Sequence, residues 1–172
     1  MRLHWVRELS RLCKSDRAVG SSVEPMTYSH KATCRFDVAS WTEEAYVDID
    51  PGEGTTAGDT YYPRRGLTQA RVSYTYAGEV DGSSTLAYLS AYKADAAPVL
   101  GLEQFTGSIA GREGTCVFRQ IGSHEAGSVS AHLEVVPGMG TGDLQGLRGE
   151  ADLSIAGHSD DGYELVLSYD LD

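Results

Sequence analysis

The chain has 172 residues, with 14 basic and 25 acidic side chains, a formal net charge of −11, and 20 glycines. This length fits one domain of ordinary size, and a domain of this size buries enough surface to fold without a disulfide or a metal. The acidic balance argues against nucleic-acid binding, which depends largely on contacts between cationic side chains and phosphates.

Residues 1–29 are predicted to be an extension outside the folded domain. Apolar residues recur near every third position in the stretch 3–12, which is compatible with a short amphipathic helix, but Pro25 and the small residues before it break the pattern. A disordered tail, or a native chain that begins at Met26, are the alternatives. The segment lacks the apolar core of a secretory signal. No stretch of the sequence reaches the roughly 20 apolar residues of a membrane-spanning helix.

Residues 30–172 are predicted to form a single all-β domain, because apolar and polar residues alternate with a period of two from Thr33 onward. The first strand is predicted to end near Trp41. The stretch Asp50–Gly66 is rich in Gly, Thr, Asp and Pro and predicts a long loop. The remaining predicted strands are, in chain order, 70–76, 86–92, 99–106, 115–121, 129–135, 147–155 and 163–170.

Turns are predicted at Ala77–Gly82 and Ala94–Pro98, and the run Pro137–Gly142 is dense in glycine. This run does not match a dinucleotide-binding loop, because it lacks the G-x-G-x-x-G spacing and precedes a strand. Its glycines are better explained by the turns and bulges of a barrel corner.

Eight half-buried strands at short spacing predict a closed antiparallel barrel or a sandwich. A barrel leaves no exposed strand edge, and an eight-stranded barrel is either filled by side chains or holds one small ligand. The order of motifs also resembles a small bacterial family, domain of unknown function 3224, over nearly all of residues 30–172. The resembling stretches are Phe36–Glu43, Tyr76–Gly78, Ala87–Leu89, Gly101–Gly107 and Val135–Glu150.

This resemblance implies an eight-stranded antiparallel β-barrel similar to that of allene oxide cyclase and the dirigent proteins, with a lipocalin-like barrel as the alternative. It implies no activity, because the family has none assigned. The chain departs from the family pattern at Cys116, Gln120 and Met139, where Phe, His and Ser are usual, and its loop Asp50–Gly66 is longer. If the family used that His chemically, this member would lack the activity. Related barrels assemble, so the resemblance is compatible with a homo-oligomer, although nothing in the sequence sets the number of chains.

The cysteines and histidines show no metal-binding or disulfide pattern. The cysteines are odd in number and lack C-x-x-C spacing, which predicts free thiols in a reducing cytoplasm; they are Cys13, Cys34 and Cys116. The histidines without ligand spacing are His124, His132 and His158, and we expect them at the surface. No common hydrolase, zinc-protease or nucleotide-binding motif is present. We therefore predict no metal and no cofactor.

Glu103 is the first candidate site residue, because it shares its parity with Val99, Gly101 and Phe105 and would be buried if that face points inward. A buried carboxylate has a raised pKa and could act as an acid or a base. The alternative is that Leu100 and Leu102 face inward and Glu103 is solvated. The other candidate ligand-binding residues are Tyr74, Tyr76, Tyr88, Phe105 and Tyr169. The tyrosines among them, together with Tyr92 and Tyr163, could line the interior as an aromatic wall with polar tips. Such tyrosines also occur simply as core residues with a bonded hydroxyl.

Three functions follow from these features. The first is a barrel that binds a small apolar or amphipathic ligand, with Glu103 and Tyr88 as polar anchors. The second is a cofactor-independent isomerase or cyclase, which needs Glu103 to point inward with a perturbed pKa. The third is a structural or interaction module with a filled barrel and an apolar outer surface.

Overall fold

The computed structural model describes residues 27–93, 96–125, 128–157, 159 and 161–172. In these ranges the chain forms eleven strands and no helix. The strands are β1 (His30–Asp48), β2 (Thr55–Ala57), β3 (Thr60–Tyr62), β4 (Gly66–Gly78), β5 (Val80–Tyr92), β6 (Ala97–Ile109), β7 (Arg112–Glu125), β8 (Ser128–Val135), β9 (Thr141–Gly142), β10 (Arg148–Ala156) and β11 (Tyr163–Asp170). No helix in the described part of the chain could span a membrane.

The eight long strands close into a barrel. Each pairs antiparallel with the next long strand along the chain, and β11 returns to pair with β1. Every long strand therefore has a neighbour on both sides, which leaves no free edge for another chain to extend. The prediction of an eight-stranded antiparallel barrel is confirmed.

Strand β6 shows how the alternating pattern divides inside from outside. Glu103 and Phe105 are fully buried, whereas Leu100 and Leu102 are 50% and 58% exposed. The Glu103 face, one of the two alternatives open in the sequence, is therefore the inner face. Hydrophobicity alone predicts the opposite orientation, because two leucines are left outside and a carboxylate is buried.

Strand β1 is longer than predicted, since it continues past Trp41 to Asp48. Its register against β4 shifts once after Val38 and again after Ala45, and each shift adds one unmatched residue on β1. Such β-bulges reverse which residues face inward. Between them the odd-numbered residues face the interior, and Trp41 and Glu43 lie opposite the buried residues of β4. The predicted strand end was wrong because the bulge interrupts the period of two.

The predicted loop Asp50–Gly66 contains a small hairpin, formed by β2 and β3. Its ends are anchored to the barrel: the Tyr61 hydroxyl donates to Asp48 Oδ2 at 2.6 Å, and Arg65 forms an ion pair with Asp50. The hairpin lies over the end of the barrel where β1 finishes and β4 begins, which we call the open end.

The opposite end, called the closed end, is filled by the glycine-rich segment before β10. Leu144 and Leu147 are 0% and 3% exposed. Gly142 has a φ of +61°, and a Cβ at Gly140 would lie 2.1 Å from the Leu144 carbonyl oxygen. These two positions need glycine because of backbone conformation and close approach, as the sequence interpretation proposed. The segment is therefore a structural plug.

Some predictions fall outside the described residues, namely those on residues 1–26, including Cys13, and on His158. Of the turn predicted at Ala94–Pro98, Ala97 and Pro98 belong to β6. At the start of the described chain, the Ser29 amide donates to Asp170 Oδ1 at 2.9 Å. This bond holds the residue that precedes β1 beside the end of β11.

Candidate functional site

A cavity of about 630 Å³ occupies the open end of the barrel, beneath the β2–β3 hairpin. This volume lies within the range of about 300–1,000 Å³ typical of small-molecule sites. The aliphatic part of its wall consists of Val38, Ala57, Ala97, Val99, Val129, Leu153 and Ile155. The aromatic part consists of Phe36, Trp41, Tyr62, Tyr74, Tyr88, Tyr92 and Tyr163. The cavity is therefore mostly apolar, and its polar atoms come from the tyrosine hydroxyls and from Glu43, Thr55, Ser90 and His124.

A chain of buried hydrogen bonds lies across the inner end of this cavity. The Tyr88 hydroxyl donates to Gln120 Oε1 at 2.9 Å, and the Gln120 amide donates to Glu103. The Tyr76 hydroxyl donates to the other Glu103 oxygen at 2.5 Å. The hydroxyls of Tyr74 and Tyr88 are 3.4 Å apart. Four neighbouring strands, β4 to β7, thus contribute to one connected polar network.

Gly101 allows this network to form across β6. It lies opposite Tyr88 on β5 and opposite Gln120 on β7. A Cβ at Gly101 would lie 2.8 Å from Tyr88 Cδ1. With no side chain between them, the Tyr88 ring reaches Gln120 across the width of β6.

Burial dominates the electrostatics of the network. Burial raises the pKa of Glu103 above its ordinary value, and the hydrogen bonds that it accepts oppose this shift. None of the ion pairs among the described residues involves Glu103. Burial also raises the pKa of Tyr88 to about 12, so its hydroxyl keeps its proton at neutral pH. Tyr88 is therefore a neutral hydrogen-bonding group that Gln120 holds in position.

The candidate residues fall into three groups by location. Tyr74 and Tyr88 border the cavity. Tyr76 and Glu103 lie in the network behind it, where a separate void of about 10 Å³ adjoins Tyr76. That volume is about the least that can hold one water molecule. Among the described residues, the hydrogen bonds that connect Glu103 with the cavity run through Gln120 and Tyr88.

The remaining two candidates lie away from the cavity. Phe105 is fully buried and packs edge-on against Tyr76, with ring centroids 5.6 Å apart. Tyr169 lies on β11 toward the closed end, with its ring 5.5 Å from that of His30. In the described structure, both residues pack in or beside the core rather than around the cavity.

A second polar group lies at the cavity's outer rim, around Glu43. The Trp41 indole donates to one oxygen of Glu43 at 3.1 Å, and the buried Thr68 hydroxyl donates to the other at 2.5 Å. The Trp41 ring also packs against Tyr88, with centroids 6.1 Å apart. Burial and the nearby Glu43 carboxylate raise the pKa of Tyr92. The sequence pattern does not indicate Trp41 and Glu43 as cavity residues, because the bulge after Val38 turns them inward.

The histidines and cysteines take separate positions. His124 is exposed and borders the cavity, whereas His132 lies on the outer surface, where its Nδ1 is 2.8 Å from Asp152. Cys34 and Cys116 are buried free thiols, and burial raises their pKa values to about 11 and about 12. Among the described residues, no group of three or more potential ligands could hold a metal ion.

Comparison with known proteins identifies the family. A family model described as "Protein of unknown function (DUF3224)" matches residues 32–167. A crystal structure of a DUF3224 protein of unknown function from Shewanella oneidensis MR-1 is 29% identical in sequence. It superposes with a TM-score of 0.65, covering 83% of this chain and 98% of that one. No protein with a curated description matches the chain significantly. On the extent of the family match, the chain belongs to the DUF3224 family.

Proposed function

We propose that this barrel binds a small, largely apolar molecule in the open-end cavity, with the Tyr88 hydroxyl as its inner polar anchor. The observation that carries the proposal is a space of about 630 Å³ with an aromatic wall and an oriented hydroxyl at its inner end. Tyr88 donates its own proton to Gln120, and beside the long 3.4 Å contact with the Tyr74 hydroxyl its oxygen keeps capacity to accept a hydrogen bond from a ligand. An amphipathic alcohol or amide fits this arrangement.

Binding ranks above catalysis because of where Glu103 lies. An isomerase or cyclase that used this carboxylate would need it to face inward with a raised pKa, and both conditions hold. However, Gln120 and Tyr88 separate Glu103 from the cavity, and a general base must come within hydrogen-bond reach of its substrate. We therefore assign Glu103 a positioning role: it orients the Gln120 amide, which in turn orients Tyr88.

The test is a fluorescence titration with N-phenyl-1-naphthylamine, a neutral apolar dye that becomes brighter in an apolar site. We expect one saturable site in the wild-type protein. Val129→Trp should fill part of the cavity and weaken binding at least about tenfold. The matched control is Val166→Trp on the outer surface of β11, which should leave binding unchanged. Equal affinities of these two variants, or no saturable binding to the wild type, would contradict the proposal.

The polar anchor has its own variant. Tyr88→Phe should lower the affinity for decanol, measured by displacement of the dye, about three- to tenfold, since one hydrogen bond is lost. Tyr169→Phe at the closed end is the control and should have no effect on decanol binding. An unchanged decanol affinity in Tyr88→Phe would place the ligand's polar end elsewhere in the cavity.

A second candidate role, self-association, is favoured by an apolar patch on the outer wall of the barrel. Leu89, Leu100, Leu102 and Ile121 are each about half exposed, and they adjoin one another across β5, β6 and β7. A second copy is the proposed occupant, because a contact between identical neutral patches avoids bringing together the charges of a chain with net charge −11. This role is compatible with ligand binding in the interior.

A further inference from the structure

The rim of the cavity combines aromatic rings with one acidic side chain. Two aromatic pairs lie here, Trp41 with Tyr88 and Tyr62 with Tyr92, each with ring centroids 6.1 Å apart. All four residues border the cavity, and so does Glu43. Aromatic faces attract cations through their quadrupole, and the attraction strengthens where water is excluded.

Glu43 connects the two pairs. It accepts a hydrogen bond from Trp41, a member of the first pair. It also lines the same cavity as Tyr62 and Tyr92, the members of the second pair. Its donors, Trp41 and Thr68, are neutral, and none of the ion pairs formed by the described residues includes it. The Glu43 carboxylate is thus held in position by two neutral donors, and none of the ion pairs among the described residues neutralises its charge.

The other charges around the cavity do not reverse this preference. Among the described residues that border it, His124 is the one basic side chain, and it is exposed where Glu43 is half-buried. A charge that is partly shielded from water acts more strongly on a ligand than one in open solvent. The net charge of −11 also draws cations, rather than anions, toward any opening of the protein.

From this juxtaposition we infer that the cavity selects apolar cations, namely amines or quaternary ammonium compounds with a hydrocarbon or aromatic body, over carboxylates of the same size. The inference rests on the proposed function, since it assigns a ligand class to the same cavity. The apolar body occupies the space between β6, β8 and β10, and the cationic group lies at the rim beside Glu43, between the aromatic pairs.

The experiment compares three ligands with the same ten-carbon chain: decyltrimethylammonium, decanol and decanoate. Each is titrated against the dye-loaded protein at low ionic strength, with native mass spectrometry to confirm one ligand per chain. We expect decyltrimethylammonium to bind at least about tenfold more tightly than decanoate, with decanol between them. Raising the salt concentration should narrow the difference between the cation and the anion.

Glu43→Gln should remove most of the preference for the cation over decanoate, with a smaller change in the affinity for uncharged decanol. The matched control is Glu44→Gln, which makes the same change in net charge one residue away on a side chain that does not border this cavity. Tyr92→Leu is a second variant that keeps Glu43 and removes one aromatic face. It should weaken cation binding several-fold, and by a larger factor than it weakens decanol binding, so the inference can be tested even if Glu43→Gln fails to fold.

The possible results separate the two proposals. If decanol binds but the cation has no advantage, or if Glu43→Gln and Glu44→Gln behave alike, the inference about cations is wrong and the proposed function stands. If neither the dye nor any of the three ligands binds, the proposed function is wrong and the inference falls with it.

Discussion

The two ends of this barrel are built from the same eight strands but are filled in opposite ways. At the closed end, Leu144 and Leu147 enter from a glycine-rich segment and complete a packed core. At the open end, a hairpin lies over a cavity of about 630 Å³, and the inward positions carry large aromatic residues. Large side chains that line the wall at one end of a barrel leave its centre empty unless a connecting segment enters between them. What closes an end is therefore the connecting segment, more than the strands.

The largest expected effect is a difference in stability between substitutions at the closed end and at the open end. Leu144→Ala should lower the free energy of unfolding by about 2–5 kcal/mol, because it leaves a void in a packed region. Leu153→Ala, in the cavity wall, should cost ~1 kcal/mol, since its side chain is already partly exposed. Urea denaturation of both variants measures the difference. Equal losses would mean that the open end is as tightly packed as the closed end in solution.

An intermediate effect concerns Glu103, at the boundary between the two halves. Its folded-state pKa is raised, so the unfolded chain loses this proton at lower pH than the folded chain does. Stability from this group is therefore present below about pH 4.3, the ordinary pKa of glutamate, and declines as the pH rises toward the folded-state pKa. We expect Glu103→Gln to lessen this decline, by about 1.4 kcal/mol for each unit of pKa shift removed.

Unfolding free energies of the wild type and Glu103→Gln, measured by urea denaturation from pH 4 to pH 9, test this expectation. The control is Glu164→Gln, which alters an exposed glutamate on β11 and should leave the pH profile as it is in the wild type. Parallel profiles for the wild type and Glu103→Gln would show that Glu103 titrates alike in the folded and unfolded chains.

The smallest expected effect on stability is outside the barrel. Leu102→Lys should change the unfolding free energy of the monomer by no more than about 0.5 kcal/mol, because the side chain is exposed. It should nevertheless reduce self-association, measured by sedimentation velocity, if the patch of Leu89, Leu100, Leu102 and Ile121 is an interface. Thr106→Lys, on the same outer face of β6 but beyond the patch, is the control. Identical sedimentation of the wild type and Leu102→Lys would remove the patch as an interface.

The barrel itself was predictable because its strands repeat one simple pattern. From β8 onward, alternation alone placed Leu133, Ala151 and Leu165 in the interior. In β6, alternation could define two faces but could not choose between them. The choice depends on Tyr76 and Gln120, which are distant in sequence from Glu103 and satisfy its carboxylate only after the barrel closes. Long-range hydrogen bonds of this kind leave no periodic signal.

The candidate site was harder to predict than the fold for the same reason. Tyr88 and Tyr74 were identified because they lie on regular strands. Trp41 and Glu43 were missed as site residues although they belong to a stretch that resembles the family, because their orientation depends on one extra residue in β1. The sequence predicts a loop where the hairpin covers the cavity, since strands of three residues are too short to show alternation.

The two bulges of β1 compensate each other, because each one shifts the inward-facing positions of the strand by one residue. The first, after Val38, exchanges the inward and outward sets of side chains, and the second, after Ala45, restores the original set. The short stretch between the bulges therefore has its odd-numbered side chains facing inward, and it supplies the Trp41 indole and the Glu43 carboxylate at the cavity rim. A relative could therefore acquire a different rim through the gain or loss of a single residue, with every flanking strand pairing kept. We therefore expect a gap near position 39 in a relative to change which side chains line the rim of the cavity.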